Sequence, residues 1–435
     1  MLTLSTGRRY TECDGTTRRN FLQAGALGGV GLTLADLLAA RTQAAETGQP
    51  VKSTSVVWLW LGGGPTHIET FDPKMTAPSE YRSVTGETLT NVPGLTIGGH
   101  FNETSQVADK MAFVRSFAHT NSGHGGGTHY VMTGYDNRNV DNGGLPTRPS
   151  IGSITSKVRG SNHPQNGMPT YVRLGNIGAD GPAFLGPAYA PFDPNGQARR
   201  NMNLETKYDR FDDRRELLSS LDRFQRESDT RGVMNGLDAF EQQAFHMLLG
   251  KSSDAFNVDK EDESTRKRYG KDPLAQQMLV ARRLVEAGCG FVTINYGGWD
   301  MHGTIEQSLK RRVPALDHAI ASFVTDIAAR GLTEDVLLVI SGEFGRTPRI
   351  NRNGGRDHWA PLSTLALSGG SFQMGQVVGD SMSKADVPKT SPIRPQDLMA
   401  TVFHHLGLDP KTQFVNQGGR PVYMLEQGQV ISELV

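Results

Sequence analysis

The chain has 435 residues, with 45 Lys plus Arg against 45 Asp plus Glu and a formal net charge of +0. No global field therefore draws it to nucleic acid or to an anionic membrane surface, and neither is expected as a partner. Of its two cysteines, Cys13 lies in the N-terminal leader and Cys289 stands alone, so no intrachain disulfide is expected in the exported chain and stability has to come from burial.

Thr17-Arg18-Arg19-Asn20-Phe21-Leu22 is followed by an apolar, Gly- and Ala-rich stretch to Ala40 and by the small residues Ala44 and Ala45. Basic, apolar and small-residue regions in that order predict a signal peptide over residues 1–45. The consecutive Arg18 and Arg19 resemble the twin-arginine address, which implies a periplasmic or extracellular protein delivered by the twin-arginine export machinery. The glycines and Asp36 make the apolar stretch weakly hydrophobic, so no stable membrane span is expected in the mature chain.

Residues 46–435 are expected to form one large α/β domain with an inserted helical lobe. Val56 to Leu61 is a short apolar run closed by Gly62-Gly63-Gly64-Pro65, the profile of a buried strand followed by a loop. The segment from Gly175 to Asn203 is rich in Gly, Pro and Asn and predicts a long ordered loop. The charged segment over 209–270 has Leu217, Leu218, Leu221 and Phe224 spaced for one helix face, and predicts the lobe. Leu274 to Ala287 reads as a helix entering a strand over Gly290 to Asn295, and Ile305 to Ala329 as a helix entering a strand over Val336 to Ile340. That alternation predicts a doubly wound sheet. Leu362 to Leu367 extends it, and Gln396 to Leu406, introduced by Pro395, closes the domain as a helix. Cys289, at the entry to a strand, reads as a buried structural thiol.

In open parallel sheets ligands gather at the carboxyl ends of the strands, so the residues that follow each strand carry the functional expectation. After the first strand, the glycines offer backbone N–H groups to an anion, and His67 and Asp72 offer metal ligands. After the strand ending at Asn295 come Asp300 and His302, two apart in an extended segment and so on one side of it, which suits a shared ion. After the strand ending at Ile340 come Glu343, a carboxylate for a hard or borderline cation, and Arg346, a bidentate partner for an anionic oxygen; a plain Glu343–Arg346 ion pair is the alternative. His358 follows in Gly354-Gly355-Arg356-Asp357-His358-Trp359, with Asp357 or a neighbour expected to orient its second ring nitrogen. A fifth segment concentrates His119, His124 and His129 ahead of Tyr130-Val131-Met132-Thr133-Gly134. His100, His163, His246, His318, His404 and His405 read as packing or surface residues.

Gly63-Gly64-Pro65-Thr66-His67 with Phe71-Asp72-Pro73-Lys74, Trp299-Asp300-Met301-His302, Glu343-Phe344-Gly345-Arg346-Thr347-Pro348 and Gly355-Arg356-Asp357-His358-Trp359 together resemble the family called domain of unknown function 1501. That family consists of twin-arginine-exported proteins abundant in planctomycetes and related bacteria, and is related to the alkaline phosphatase and sulfatase superfamily. The resemblance implies an alkaline phosphatase-like α/β/α sandwich with a central, largely parallel sheet, and metal-assisted hydrolysis of sulfate or phosphate esters, small or polysaccharide-borne. It further implies a nucleophile ten residues before the glycine of a Leu-Thr-Gly signature. Met132-Thr133-Gly134 looks like that signature, and the count back reaches His124, not a serine, threonine or cysteine. Gly62 to Gly64 stand where the superfamily holds an aspartate, and Glu343-Phe344 where it holds an Asp-His pair. The expectation is therefore a divalent cation held by Asp300, His302, Glu343 and His358, with His67 and Asp72 as further ligands, and His124 and Arg346 acting in catalysis. The rival is a binding protein, of a polysaccharide for example, on a fold that has lost its nucleophile.

Overall fold

The computed structural model describes residues 54–194 and 252–435. The leader expected over 1–45, and the part of the expected lobe before residue 252, lie outside them.

Seven strands form the central sheet: β1 Ser55–Trp60, β4 Met111–Val114, β5 Tyr171–Leu174, β6 Phe291–Asn295, β7 Val336–Ser341, β10 Leu365–Gly369 and β11 Gln376–Val378, in the order β11-β4-β10-β7-β1-β6-β5. The remaining strands pair off as short hairpins: β2 Glu87–Leu89 with β3 Thr96–Gly98, β8 Gly345–Arg346 with β9 His358–Trp359, and β12 Gln413–Val415 with β13 Pro421–Tyr423. In the central sheet β1 lies between β6 and β7, parallel to both, and β5 and β11 also join in parallel. Helices cover both faces, giving an α/β/α sandwich.

The period of two along β1 accounts for the layers. Val57, Leu59 and Leu61 enter one apolar cluster together with α5 Pro273–Glu286 and α6 Ile305–Ala329; Val56, Trp58 and Trp60 enter the opposite one, with α2 His124–Thr133, α3 Ile151–Arg159 and α7 Pro395–Leu406. The whole strand is buried, and each such apolar side chain contributes about 1.5–3 kcal/mol relative to exposure. The α5 helix starts where Asp272 accepts from the backbone N–H of Leu274 at 2.8 Å, with Pro273 in its first turn. In α6 the buried residues Ile305, Leu309, Val313, Leu316 and Ile320 recur at three- and four-residue spacing, a stripe that faces the sheet.

Three details depart from the sequence expectation. The strand expected over 362–367 runs over 365–369 and is antiparallel to β7 and β4, because a short, fully buried apolar run reads the same in either direction. Strands β4 and β5 are four residues each, too short for a periodic signal. The end of the His-rich segment is the helix α2, whose left-handed C-cap is Gly134. Of the lobe, 252–270 is described, and it contains two 3-10 turns and the helix α4 Glu263–Tyr269. Arg282, 1% exposed, ties that part to the sandwich through Glu261, Glu286 and Asp326. Cys289 is buried and its thiol is pushed up to about 12 by desolvation, as a structural thiol requires. Among the described residues no helix is long and apolar enough to cross a membrane.

Candidate metal centre

The carboxyl ends of β1, β6 and β7 lie side by side in the sheet register, with Trp60 opposite both Asn295 and Ser341. The loops leaving those ends, the first residue of α2 and the β8–β9 hairpin supply the polar groups. Asp300 is at the centre. Its Oδ1 lies 2.9 Å from His302 Nε2 and 3.2 Å from His358 Nε2, and its Oδ2 lies 3.5 Å from His124 Nε2. His302 Nε2 and His358 Nε2 are 3.1 Å apart. One ligand atom from each of His124, Asp300 and His358 falls within 4.8 Å of the other two. A tetrahedral cation with bonds of about 2.0–2.1 Å to nitrogen separates its ligands by roughly 3.3 Å, close to these spacings.

The opposite ring nitrogens are all occupied by oxygen acceptors. His124 Nδ1 meets Glu343 Oε1 at 2.8 Å, His302 Nδ1 meets Asp357 Oδ1 at 2.6 Å, and His358 Nδ1 meets the Ser122 carbonyl at 2.9 Å. A carbonyl or carboxylate only accepts, so each Nδ1 donates and, in the neutral ring, each Nε2 turns a lone pair toward Asp300. The close approach of His302 Nε2 to His358 Nε2 is then repulsive unless a proton or a cation stands between them. Orientation of one ring nitrogen by an oxygen while the other converges on a shared point is the usual arrangement around a bound metal.

The charges fit the same purpose. Burial alone would raise the Asp300 carboxyl, but the hydrogen bond and charge of Arg346, with the neighbouring imidazoles, hold it down at about 2. Desolvation, then Arg346, lowers the pKa of His358 and favours its neutral ring, whereas the hydrogen bond that His124 donates to Glu343 raises that of His124. Phe344 packs against both rings, with centroids 5.1 Å from His124 and 4.5 Å from His358.

Arg346 has another place than an open anion site. It is 0% exposed, and its N–H groups go to the Gly64 carbonyl at 2.8 Å, the Gly63 carbonyl, the Arg356 carbonyl at 3.1 Å and Asp300 Oδ1 at 2.6 Å. The guanidinium thus locks the first-strand loop to Asp300. The glycines serve that closure: Gly63 has φ +111, a Cβ there would stand 2.6 Å from the backbone nitrogen of Asp300, and its own N–H donates to Glu343 Oε1 at 2.8 Å. The Gly63 N–H and the carbonyls of Gly62, Gly63 and Gly64 are thus spent on the protein. Glu343 accordingly orients His124 from beneath and is buried.

The structure does not bring His67 and Asp72 into this cluster. His67 Nε2 bonds the Ala385 carbonyl at 2.8 Å, and Asp72 pairs with Lys74 and Arg115, each at 3.4 Å, and accepts from Ser381. Two cations beside Asp72 neutralise the charge that a third would seek. Asp357 orients His302 and not its neighbour His358; the residue that holds His358, Ser122, acts through its backbone and left no signal in the sequence. Thr304, directly beyond His302-Gly303, sits at φ +46, held by the Asn353 carbonyl at 3.0 Å. A β-branched residue there costs roughly 1–3 kcal/mol, the kind of strain that accumulates where a fold fixes a functional loop.

The family described as "Protein of unknown function (DUF1501)" matches residues 53–435. The chain belongs to the DUF1501 family. No curated protein matches this DUF1501 chain in sequence. Solved structures similar to it include the PsFucS1 sulfatase from Pseudoalteromonas sp., at 13% identity and TM-score 0.36 over 85% of this chain and 70% of that one. They also include a mutant of TAB5 alkaline phosphatase with magnesium bound, at 12% identity and TM-score 0.36 over 82% and 98%. A third is a phosphonate monoester hydrolase from Silicibacter pomeroyi, at 10% identity and TM-score 0.29 over 82% and 74%.

Proposed function

We propose that this DUF1501 protein is an exported hydrolase of sulfate or phosphate esters that works with one divalent cation held by Asp300, His302 and His358, beside which His124 acts as acid or base. The observation that carries the reading is the convergence of three oriented Nε2 atoms on one ionised carboxylate. Two imidazole nitrogens and one carboxylate oxygen suit a borderline cation such as zinc better than calcium or magnesium, which prefer oxygen. When bound, such a cation polarises an ester oxygen and lowers the pKa of water. Arg346 holds Asp300 in place. Phe344 shields one side of the His124 and His358 rings from water, while the half-exposed Asp300, His302 and His124 leave the other side open to a substrate. His124, fixed through Nδ1 by Glu343, is placed to take or return a proton at Nε2.

His124→Ala is expected to lower turnover of aryl sulfates and phosphates by roughly 10²- to 10⁴-fold, the usual share of a positioned acid or base, without changing the thermal unfolding midpoint by more than a few degrees. Wild-type rates in that variant would remove His124 from the mechanism. The second reading, a binding protein, is favoured by one observation: an imidazole, not a hydroxyl or thiol, stands at the count-back position, the first residue of α2. It predicts retained metal, no hydrolysis across a broad ester panel, and saturable binding of the unhydrolysed ester. Protein purified without chelator, assayed for metal and for hydrolysis together, separates the two.

Export is tested apart from the chemistry. Changing both Arg18 and Arg19 to Lys should leave most of the precursor in the cytoplasm, read by fractionation; unchanged export of the double variant would defeat the twin-arginine assignment.

A further inference from the structure

We propose that the groove opening at His358 holds the sugar ring of an acidic saccharide ester, with a second negative charge of the substrate on Arg394. This rests on the hydrolase reading above and narrows its substrate class.

The groove has a volume of about 700 Å³, inside the range of about 300–1,000 Å³ usual for small-molecule sites. It adjoins the metal centre, because His358, whose Nε2 lies 3.2 Å from Asp300 Oδ1, also lines the groove together with Ser122, the partner of its Nδ1. A molecule presenting its ester to Asp300 therefore extends the rest of itself into this space.

The walls specify what that remainder is. Trp359 lies beside His358 on the same hairpin, and its indole N–H donates to the Asp386 carbonyl at 2.7 Å, which fixes the ring. Pro361, Pro388 and Pro392 complete an apolar surface with little freedom to lose on binding. Thr120 and Thr390 add hydroxyl-bearing side chains to the same lining. A rigid apolar plate next to hydroxyl groups complements a pyranose, which has a C–H face and a rim of hydroxyls.

No carboxylate lines the groove among the described residues. Arg394 is the one permanently charged side chain of that lining. It is exposed, at the start of the twelve-residue helix α7. Its backbone N–H is capped by Asp397 at 2.9 Å, and no ion pair engages its guanidinium among the described residues. A free guanidinium facing a carboxylate-free groove selects an anion, so the sugar itself, beyond the ester, carries a negative charge.

The test uses the full exported chain and three probes: a uronate-containing disaccharide with one sulfate ester, the same disaccharide without sulfate, and a neutral disaccharide with one sulfate. Binding is read by calorimetry and hydrolysis by sulfate release, for wild type, Arg394→Ala and Trp359→Ala. Loss of one charged hydrogen bond predicts that Arg394→Ala weakens both uronate probes about ten-fold or more and leaves the neutral probe unchanged. Trp359→Ala should weaken all three. If Arg394→Ala binds every probe as wild type does, or if wild type binds none of them, the groove assignment is overturned. Arg394-dependent binding without sulfate release keeps the groove and sinks the hydrolase reading. Hydrolysis of 4-nitrophenyl sulfate with no Arg394 dependence on the disaccharides does the reverse.

Discussion

Asp300→Asn should reduce bound divalent metal from about one equivalent per chain to a small fraction of that, and turnover by roughly 10³-fold or more. The carboxylate is the single point on which the three Nε2 atoms converge, it pairs with Arg346, and its charge would offset the proposed cation. A cation's stabilisation of developing charge is worth several kcal/mol, and each 1.36 kcal/mol is about ten-fold in rate. Asparagine keeps the shape and one oxygen but removes the charge, so packing is nearly unchanged while the ion loses its anionic ligand. His302→Gln is the companion variant. It deletes one imidazole and leaves the Asp300–Arg346 pair intact, and should lower metal content without the additional loss expected where Arg346 loses its counter-charge. Elemental analysis of both variants, beside their thermal unfolding, gives the answer. Asp300→Asn with wild-type metal content would move the ion elsewhere on the molecule and end the present assignment.

The strand ends were legible in the sequence because each is a local pattern. An apolar run followed by Gly and polar residues reads directly, and the α/β alternation brings such ends to one edge. Asp300, His302 and Glu343 come together in the structure for that reason, whereas His358 reaches them on the β8–β9 hairpin and His124 at the start of α2. Contacts between the loops were not legible. Which carboxylate orients which histidine depends on how the β8–β9 hairpin folds over the loop after β6, and sequence neighbours mislead there: Asp357 is adjacent to His358 yet bonds His302. Arg346 illustrates the same limit. An arginine beside a glutamate at a strand end suggests either an anion site or an ion pair with that glutamate, but its fork closes on two glycine carbonyls and on Asp300, 46 residues away in sequence.

The support of the site rests on a pair that the sequence does not advertise, and breaking it should have the largest effect on stability. Arg356 and Glu69 are both 0% exposed, joined at 2.8 Å and 3.2 Å through Glu69 Oε1. Arg356 also donates to the carbonyls of Thr347, Pro348, Tyr81 and Arg82, and Glu69 also accepts from Thr66 Oγ1 at 2.5 Å and from the Val84 N–H at 3.2 Å. The pair thus binds the hairpin carrying His358 to α1, His67–Thr70, and to the chain around Tyr81. Glu69→Gln leaves a buried guanidinium without its counter-charge, which costs about 3–5 kcal/mol. Arg356→Met leaves the carboxylate stranded at a similar cost. The double variant removes both charges at once, so it should cost clearly less than the sum of the two, and the midpoint of urea unfolding measures all three. The Arg356 backbone lies inside the site, since its N–H donates to the Met301 carbonyl and its carbonyl accepts from Arg346, each at 3.1 Å. Loosening the pair should therefore also lower metal affinity, even though neither side chain touches Asp300. Single variants that unfold within about 1 kcal/mol of wild type, or a double variant as unstable as the sum, would mean that the pair is not what holds the hairpin over the strand ends.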